Sequence, residues 1–540
     1  MPAICLKKMN ERRTIAILPL LSAALMSIPW LVPHTGWVAL FGLVPLLCAE
    51  RIATGCHIRH FWRWYLLGFV VWNAATTFWI WNATAGGAVF AILYNSLQMF
   101  LVFGLFRISR RRFGGCLPYL FLMFAWIAWE RIDYSAQLSW PWLTLGNAFS
   151  GTVSLVQWYS VTGALGGSLW VWTVNLSLFG LMTAFSEGSW WNRNYKAQMA
   201  SLFGILVLVA GPIVASEIIY KGYEEKSEGT SRVVIAQPNI DVYNKFGAMT
   251  QAEQTETLLG LFPEESGEQL LLVAPETFTS DVVLNDIQSG ATWRRFREFL
   301  QSRPNTDLLF GASSWEFINK RSQPSLLARP YGDGWIESHN SALIMDASGR
   351  TEVFHKSKLV VGVEKMPYPR IFAPIDDWLG GVMGRCVPQD RISCLHLADG
   401  TTFGCAVCYE SVYGDYCTGY VREGAEFLTI ITNDAWWGDT PGYRQHLRYA
   451  SLRAIELRRD IARCANTGIS AFINQRGDIV SSTSWWERRS LEGQVNYNSQ
   501  LTVFARYGDV TGRVCTLAFI LMLLALLVRT VSGGTRRASA

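Results

Sequence analysis

The chain has 540 residues, of which half are hydrophobic and only 16% are charged; 24 are tryptophan, and the formal net charge is +5. Soluble proteins are usually about one quarter charged, so this deficit indicates membrane-spanning segments and excludes an ordinary soluble composition for the whole chain. No basic tract is interleaved with aromatic residues, which argues against nucleic-acid binding. The small positive excess fits loops that face an anionic membrane surface.

Long apolar runs dominate the first 220 residues. A helix that crosses a bilayer needs about 20 apolar residues. The sequence therefore predicts seven transmembrane helices before residue 220 and one near the C-terminus. Their approximate bounds are 15–32, 36–49, 64–83, 87–106, 117–129, 155–183, 200–215 and 514–528. The first run follows KKMNERR but has no small-residue cleavage site after it, so we interpret it as an uncleaved helix rather than a signal peptide.

The loops between these runs differ in positive charge, and this difference predicts their orientation. Lysine and arginine cluster before the first run, between the second and third, after the fourth, before the seventh and after the eighth. Cytoplasmic loops carry such an excess. We therefore expect a multi-pass protein of the bacterial inner membrane with both termini in the cytoplasm. The large domain before the last helix is then periplasmic, where disulfides are permitted, although the cysteine spacing matches no disulfide framework.

The region after the polar linker KGYEEKSEGTS has an ordinary globular composition. Eight β-type runs are predicted at 232–240, 269–278, 306–314, 340–346, 351–360, 401–409, 426–434 and 469–475, with helical patterns at 251–262, 291–303 and 443–464. Strands that alternate with helices predict a layered α/β domain. The expected domains are a membrane domain at 1–220, a catalytic domain at 230–505 and a C-terminal transmembrane helix at 511–530.

Three of the predicted strands end in polar residues that the apolar runs themselves do not require. These residues are Glu276, Lys356 and Cys408, and Glu410 follows closely. Ligands of open α/β sheets lie beyond the strand ends. A carboxylate there could take the thiol proton, because the thiolate is the reactive species. A lysine could lower the thiol pKa and stabilise the oxyanion of a tetrahedral intermediate.

Each of these residues also has a plainer interpretation. Glu276 could cap a helix or form a local ion pair, and Lys356 could be solvated, with Lys358 an equal candidate. The CAVC segment at 405–408 could be a redox or zinc motif, although a redox helix or two further zinc ligands should then follow. His446 lies in a predicted helix, and we interpret it as structural.

Several motifs resemble a known family. APE at 274–276, HKSKLV at 355–360 and CYE at 408–410 resemble the carbon–nitrogen hydrolase (nitrilase-like) superfamily. The segment that runs from TNDAWWGD to INQRGDI at 432–479 resembles the apolipoprotein N-acyltransferases, as do SWPWLTLGN, TGALGGSLWVWTVN and ARYGD. The resemblance implies a polytopic α-helical membrane domain of about eight transmembrane helices and a nitrilase-like αββα sandwich.

The resemblance also implies a role for individual residues. Glu276 would be the general base, Lys356 the oxyanion-stabilising cation and Cys408 the nucleophile. A further essential glutamate corresponds to Glu364, and the residues that line or support the pocket correspond to Tyr409, Glu410 and Trp436. One segment departs from the family pattern, because this chain reads LVVGVEKMP where the family usually reads LVPFGEYVP.

The activity implied is the transfer of a fatty acyl chain from a membrane phospholipid, through a thioester on Cys408, to an amine. The acceptor would be the α-amino group of the S-diacylglyceryl cysteine of a lipoprotein. We expect a monomer that needs no cofactor or metal and contacts membrane lipids, with apolar residues near Phe246, Met249 and Leu284 lining an acyl groove. The alternatives are a membrane-anchored amidase or nitrilase acting on small amides, and a non-catalytic partner with a dead hydrolase domain.

Overall fold

The computed structural model describes residues 2–242, 249–264, 269–378 and 380–538. The chain forms two units. The helical unit contains the chain up to Ala136, Trp140–Gly222 and the residues from Asp509 onward. The α/β unit contains Gln137–Ser139 and Tyr223–Gly508.

The α-helices of the described residues range from 4 to 30 residues in length. In chain order they are α1 (Pro2–Leu31), α2 (Ala39–Gly42), α3 (Val44–Gly55), α4 (Trp62–Thr77), α5 (Ile80–Ala83), α6 (Ala85–Ser109), α7 (Leu117–Asp133), α8 (Tyr159–Thr162), α9 (Ala164–Ser186), α10 (Tyr195–Gly222), α11 (Gln251–Leu259), α12 (Ala291–Gln301), α13 (Pro369–Trp378), α14 (Gly414–Arg422), α15 (Pro441–Leu457), α16 (Val503–Tyr507) and α17 (Val510–Ala538).

The helical unit has the lengths and hydropathy of a membrane domain. Among the described residues, six segments are long and apolar enough to cross a bilayer: Glu11–Leu31, Gly36–Gly55, Ala85–Ser109, Ala164–Ser186, Tyr195–Gly222 and Val510–Ser532. The other two predicted spans correspond to α4 with α5 and to α7, which are shorter helices. The membrane domain is therefore confirmed, while the number of helices that span the bilayer stays a prediction.

Two of the long helices expose most of their apolar surface. Only 6% of the residues in the apolar window of α10 and 11% of those in the window of α17 are buried by the protein, although both have high mean hydropathy. A contiguous apolar surface of this size requires an apolar environment, and lipid provides it. The helical unit is consequently the membrane-embedded part of the chain.

The strands of the α/β unit form two sheets. They are β1 (Thr230–Gln237), β2 (Leu270–Val273), β3 (Thr279–Val283), β4 (Thr306–Ile318), β5 (Arg329–Tyr331), β6 (Gly334–Met345), β7 (Thr351–His355), β8 (Leu395–His396), β9 (Thr402–Val407), β10 (Phe427–Thr432), β11 (Ile461–Ala465), β12 (Ala471–Ile473), β13 (Ile479–Ser482) and β14 (Arg489–Asn496). The first sheet has the order β14-β1-β2-β4-β6-β5, with β3 on β4 and β7 on β6. The second has the order β13-β12-β11-β10-β9-β8.

The core of the unit lies between and beside these sheets. One buried cluster joins residues of the first sheet, such as Val273, to residues of the second, such as Val407, and to α14 and α15. Another joins the opposite face of the first sheet to α11 and α12, through Leu258 and Phe296. Two sheets packed together and covered by helices on both sides form an αββα sandwich, as the resemblance implies.

All eight predicted strands are present, but one helix prediction is wrong in part. The pattern at 443–464 predicts a continuous helix, whereas α15 ends at Leu457 and β11 follows. Arg458 adopts a left-handed conformation with φ of +51°, which ends the helix. The next residues are buried and pair with β10 and β12, so tertiary pairing decides their conformation.

Candidate active site

Strands β2, β7 and β9 bring three predicted residues to one edge of the sandwich. Strands β1, β2 and β4 are parallel, and β7 runs in the same direction because it pairs antiparallel to β6, which is itself antiparallel to β4. Glu276 follows the carboxyl end of β2, Lys356 follows that of β7, and Cys408 follows that of β9 in the second sheet. The Lys356 Nζ lies 2.9 Å from the Glu276 Oε1, and both charges act on the pKa of the Cys408 thiol.

Lys356 is held between two carboxylates. Its side chain is 1% exposed, and its Nζ lies 2.9 Å from both the Glu276 Oε1 and the Glu364 Oε1. Burial lowers the pKa of Lys356, but the charges of Glu276 and Glu364 outweigh it, and the pKa lies well above its ordinary value. The ammonium is therefore a permanent cation in the site. Lys358 instead lies over the rings of Tyr413 and Tyr416, so it is not the lysine of this cluster.

Two asparagines that the sequence analysis did not identify complete the cluster. The Asn340 side-chain amide donates to the Glu276 Oε1 at 2.8 Å and to the Glu364 Oε1 at 2.6 Å. The Asn433 backbone N–H donates to the Glu276 Oε2 at 3.1 Å. Asn433 follows β10 directly, so the search for polar residues at strand ends could have found it. Asn340 lies within β6, where no local pattern distinguishes it.

The loop that departs from the family pattern still places Glu364 in the cluster. The Val360 N–H donates to the Glu364 Oε2 at 2.8 Å, and the backbone N–H groups of Glu364 and Lys365 donate to the Val360 carbonyl. Gly362 takes the turn with φ of +85°, a conformation that glycine adopts without strain. The LVVGVEKMP sequence therefore positions Glu364 without the Pro-Phe-Gly of the family pattern.

Cys408 lies on a strained turn directly after β9. Its φ is +52°, which is uncommon for a residue with a side chain and is typical of functional sites. Its carbonyl oxygen accepts a hydrogen bond from the Ser411 hydroxyl at 2.8 Å. Burial raises the pKa of the Cys408 thiol well above its ordinary value, Glu276 raises it further, and Lys356 opposes them. The thiol is consequently protonated at neutral pH and needs a base.

Glu410 joins the strand ends that carry Lys356 and Cys408. Its carboxylate accepts hydrogen bonds from three backbone N–H groups and two tyrosine hydroxyls: Ser357 (2.7 Å), Lys358 (3.1 Å), Val407 (2.8 Å), Tyr416 (2.9 Å) and Tyr420 (3.3 Å). With its oxygens occupied in this way, Glu410 supports the site rather than reacting in it.

The other two pocket residues differ in exposure. The Tyr409 hydroxyl donates to the Ser139 carbonyl at 3.2 Å, and the side chain is buried. Trp436 lies on the turn Asp434–Trp437 and is partly exposed. Tyr409 therefore holds the backbone beside the nucleophile candidate, while Trp436 offers an apolar surface.

A buried charged cluster lies against the Cys408 backbone. The His446 ring has its Nδ1 at 3.0 Å from the Asp434 Oδ1 and its Nε2 at 3.1 Å from the Cys408 carbonyl oxygen. The Arg463 Nη2 donates to the Asp434 Oδ2 at 2.6 Å. All three side chains are buried. His446 thus contacts the turn of Cys408 through its backbone, and Asp434 and Arg463 orient the ring.

The structure also bears on two other sequence predictions, the CAVC motif and the apolar acyl groove. Cys405 is buried within β9, and the cysteines that the structure describes are all free, so no disulfide joins the CAVC segment there. Met249 and Leu284 pack against the core beneath α11 and α12. Phe246 lies outside the described residues. The contacts of Met249 and Leu284 are therefore with that core and do not define an acyl groove.

An αββα sandwich with glutamate, lysine and cysteine at adjoining strand ends has the architecture of the nitrilase-like fold class. The family model of the carbon–nitrogen hydrolases matches residues 318–500. The model of the apolipoprotein N-acyltransferase N-terminal domain matches residues 22–177. This chain therefore matches the models of both domains, the N-terminal domain of the apolipoprotein N-acyltransferases and the carbon–nitrogen hydrolase domain.

Similar proteins extend over nearly the whole chain. An apolipoprotein N-acyltransferase of Chlorobaculum tepidum is 28% identical over 526 residues, which cover 94% of this chain and 96% of that protein. An apolipoprotein N-acyltransferase of Geobacter metallireducens is 25% identical over 522 residues, which cover 92% of each chain. The similarity therefore includes the membrane domain as well as the sandwich.

Proposed function

We propose that this protein transfers a fatty acyl chain from a membrane phospholipid to the N-terminal amine of a diacylglyceryl lipoprotein. The observation that carries the proposal is the buried cluster of Glu276, Lys356 and Cys408 in a chain that also has the matching membrane domain. A cysteine nucleophile beside a base and a fixed cation is suited to acyl transfer in two halves.

In the first half the thiol becomes acylated. The Glu276 carboxylate takes the thiol proton while the Cys408 Sγ attacks the carbonyl carbon of the phospholipid ester. The Lys356 ammonium stabilises the oxyanion that forms, an effect worth about 3–4 kcal/mol for a typical donor. The C–O bond then breaks, the protonated Glu276 returns the proton to the leaving alkoxide, and a lysophospholipid departs.

In the second half the thioester passes its acyl chain to the amine. The uncharged α-amino group of the lipoprotein cysteine attacks the thioester carbonyl, and Glu276 accepts a proton from that nitrogen. The C–S bond breaks to leave an amide and the Cys408 thiolate, which the Glu276 proton neutralises. Because Glu364 shares the Lys356 ammonium, Glu276 is not the only counterion of that cation and can exchange protons in both halves.

An exposed apolar face of the α/β unit supports lipid substrates. Ile371, Ile375 and Trp378 are 61%, 46% and 84% exposed on α13, and their spacing puts them on one face of the helix. An apolar face of this kind is one feature of the amphipathic helices that lie in the interfacial region of a membrane. α13 begins a few residues after Glu364, so this apolar surface is close to the site in sequence. We propose that acyl chains enter along it.

The cellular location and assembly belong to the same proposal. The positive charge of the loops supports a multi-pass inner-membrane protein with cytoplasmic termini and a periplasmic α/β unit. A monomeric state is part of the proposal. An amidase or nitrilase acting on small amides is not favoured, because a matching membrane domain exceeds the needs of an anchor.

The decisive experiment detects the acyl-enzyme. Purified protein is incubated with phospholipid, digested, and searched by mass spectrometry for an acyl mass on the peptide that contains Cys408. We expect that mass in the unmodified protein and in Cys405→Ala, and not in Cys408→Ala. Hydrolysis of small amides without any acyl mass on Cys408 would instead favour the amidase.

A further inference from the structure

A second polar cluster lies on strands β4 and β6 of the first sheet. Glu316 pairs directly opposite Glu337 in the antiparallel register, and His339 lies two residues further along β6, on the same face as Glu337. One carboxylate oxygen of each glutamate and one ring nitrogen of His339 lie within 4.8 Å of one another. The three side chains therefore converge on one point.

The hydrogen bond of His339 determines which ring nitrogen faces the carboxylates. The His339 Nδ1 lies 3.0 Å from the Val387 carbonyl oxygen. A carbonyl oxygen can only accept, so the Nδ1 carries the hydrogen, and in the neutral ring the Nε2 presents a lone pair. The side chain is only 6% exposed, and the Nε2 is buried without a hydrogen-bond partner, 3.9 Å from the Glu316 Oε2.

This arrangement brings three acceptor groups together without a lysine or arginine among the described residues to pair with them. Like charges directly opposite each other on paired strands are destabilising. The Glu337 Oε1 accepts one hydrogen bond from the Ser325 N–H at 2.8 Å, which leaves its second oxygen for another partner. In the part of the chain that the structure describes, neither glutamate forms an ion pair with a lysine or an arginine. The distance of 3.9 Å is also too long for a hydrogen bond from a protonated His339 to Glu316.

We propose that Glu316, Glu337 and His339 form a binding site for a divalent transition-metal cation such as Zn²⁺. Imidazole nitrogen and carboxylate oxygen are ligands that Zn²⁺ prefers. The hydrogen bond from the His339 Nδ1 to a backbone carbonyl is the outer interaction that orients a ligating histidine. Glu316 is 41% exposed, so the ion enters from solvent on its side and can retain water as a further ligand.

The proposed ion would link β4 to β6 beside the candidate active site. Asn340, which donates to both Glu276 and Glu364, is the next residue after His339 on β6. The ion takes no part in the acyl transfer described above, and the proposal does not depend on that function. Its role is to fix the strand that carries Asn340.

Metal titration of the full-length protein in detergent tests the site. The protein is first stripped with a chelator and then titrated with Zn²⁺ by calorimetry and with Co²⁺ by absorption spectroscopy. We expect one ion per chain, a rise in the Tm with Zn²⁺, and Co²⁺ d–d bands without a thiolate charge-transfer band. A thiolate band would locate the ion at a cysteine, such as Cys408, and would overturn the proposal.

Matched variants separate this site from non-specific binding. Glu316→Gln retains the shape of a half-exposed side chain and removes its charge, so it should fold and weaken Zn²⁺ binding by about tenfold or more. It should also keep or raise the Tm of the metal-free protein, because it removes a like-charge contact. His396→Gln changes an exposed histidine that pairs with Glu352, and it should bind as the unmodified protein does. Absence of binding in the unmodified protein, or equal affinity in Glu316→Gln, would refute the site.

Discussion

The Cys408 thiol lies where its proton must be removed by a neighbour. Burial and the charge of Glu276 raise its pKa, and the Lys356 cation only partly offsets them. A protonated thiol is a weak nucleophile. We therefore propose that attack on an ester is coupled to proton transfer, with the Glu276 carboxylate as the acceptor of the proton.

Replacement of the proposed base tests this coupling. We expect Glu276→Gln to slow acylation of Cys408 by about 10²–10⁴-fold, because general-base catalysis contributes that much. The measurement is the rate at which the acyl mass appears on the Cys408 peptide. Glu256→Gln, which alters an exposed glutamate paired with Arg295, is the control and should acylate at the normal rate. A normal rate in Glu276→Gln would contradict the assignment.

The cluster behind Cys408 is expected to determine stability. Burial raises the pKa of Asp434, but Arg463 and His446 outweigh it and hold that pKa well below its ordinary value of 3.8. A carboxyl group with a depressed pKa contributes stability above its unfolded-state pKa. That contribution is lost as the pH falls from about 4 toward the lower folded-state value.

Asp434→Asn should remove this contribution. We expect it to lower the free energy of unfolding by about 3–5 kcal/mol, because it leaves Arg463 buried without its counterion. Thermal unfolding monitored by circular dichroism measures the change, and the variant should lose less further stability on acidification. The control is Asp439→Asn, an exposed pair with Arg444, which should change stability by less than about 1 kcal/mol. Equal stability of the two variants would show that the buried pair contributes little.

At the scale of elements, α13 has an exposed apolar face and is held to the α/β unit by a buried aspartate. Its Asp376 is buried and accepts hydrogen bonds from Arg385 at 2.6 and 3.1 Å and from the Met383 N–H at 2.8 Å. The helix is thus held from one side, while its apolar side chains remain available to lipid. This geometry suits a surface that receives acyl chains.

Replacement of Ile371, Ile375 and Trp378 together by serine tests that surface. We expect acylation of Cys408 from phospholipid vesicles to fall by about tenfold or more, because each buried apolar side chain contributes about 1.5–3 kcal/mol. Alkylation of Cys408 by small soluble iodoacetamide should not change, since the chemistry is intact. Val480→Ser, an exposed apolar residue of β13, is the control. Slower alkylation as well would indicate a damaged site rather than lost lipid contact.

At the scale of the whole molecule, the long helices and the sandwich carry out separate tasks. The helical unit exposes long apolar helices suited to a lipid environment, and the α/β unit holds the candidate site. Lipid substrates leave a bilayer at a cost of about 0.8 kcal/mol for each methylene. Attachment of the reactive unit to membrane helices avoids that cost.

The predicted orientation can be tested in cells. We expect a C-terminal fluorescent protein that matures only in the cytoplasm to fluoresce, because the loops with most lysine and arginine are cytoplasmic. Protease added to spheroplasts should reach the segment 230–505, whereas a cytoplasmic marker protein should stay protected. Protection of that segment in intact spheroplasts would contradict the predicted orientation.

The sequence alone predicted the apolar helices, eight of the strands that the structure describes and the strand ends that carry Glu276, Lys356 and Cys408. It did not predict β3, β5, β8, β11, β13 or β14. The predicted features depend on hydropathy and on local alternation, which neighbouring residues encode. The motifs also indicated Glu364 and Glu410, and both contact the cluster or its backbone.

Only the tertiary structure decided which distant residues complete the site. Asn340 lies 64 residues from Glu276, and Asn433 lies 157 residues from it, yet both donate to its carboxylate. Arg463 is a similar case. The sequence pattern predicts it within a helix, whereas the structure places it on β11, where its guanidinium donates to Asp434. Contacts of this kind depend on how strands are ordered in the sheets, and that order is a property of the packed molecule rather than of any short stretch of chain.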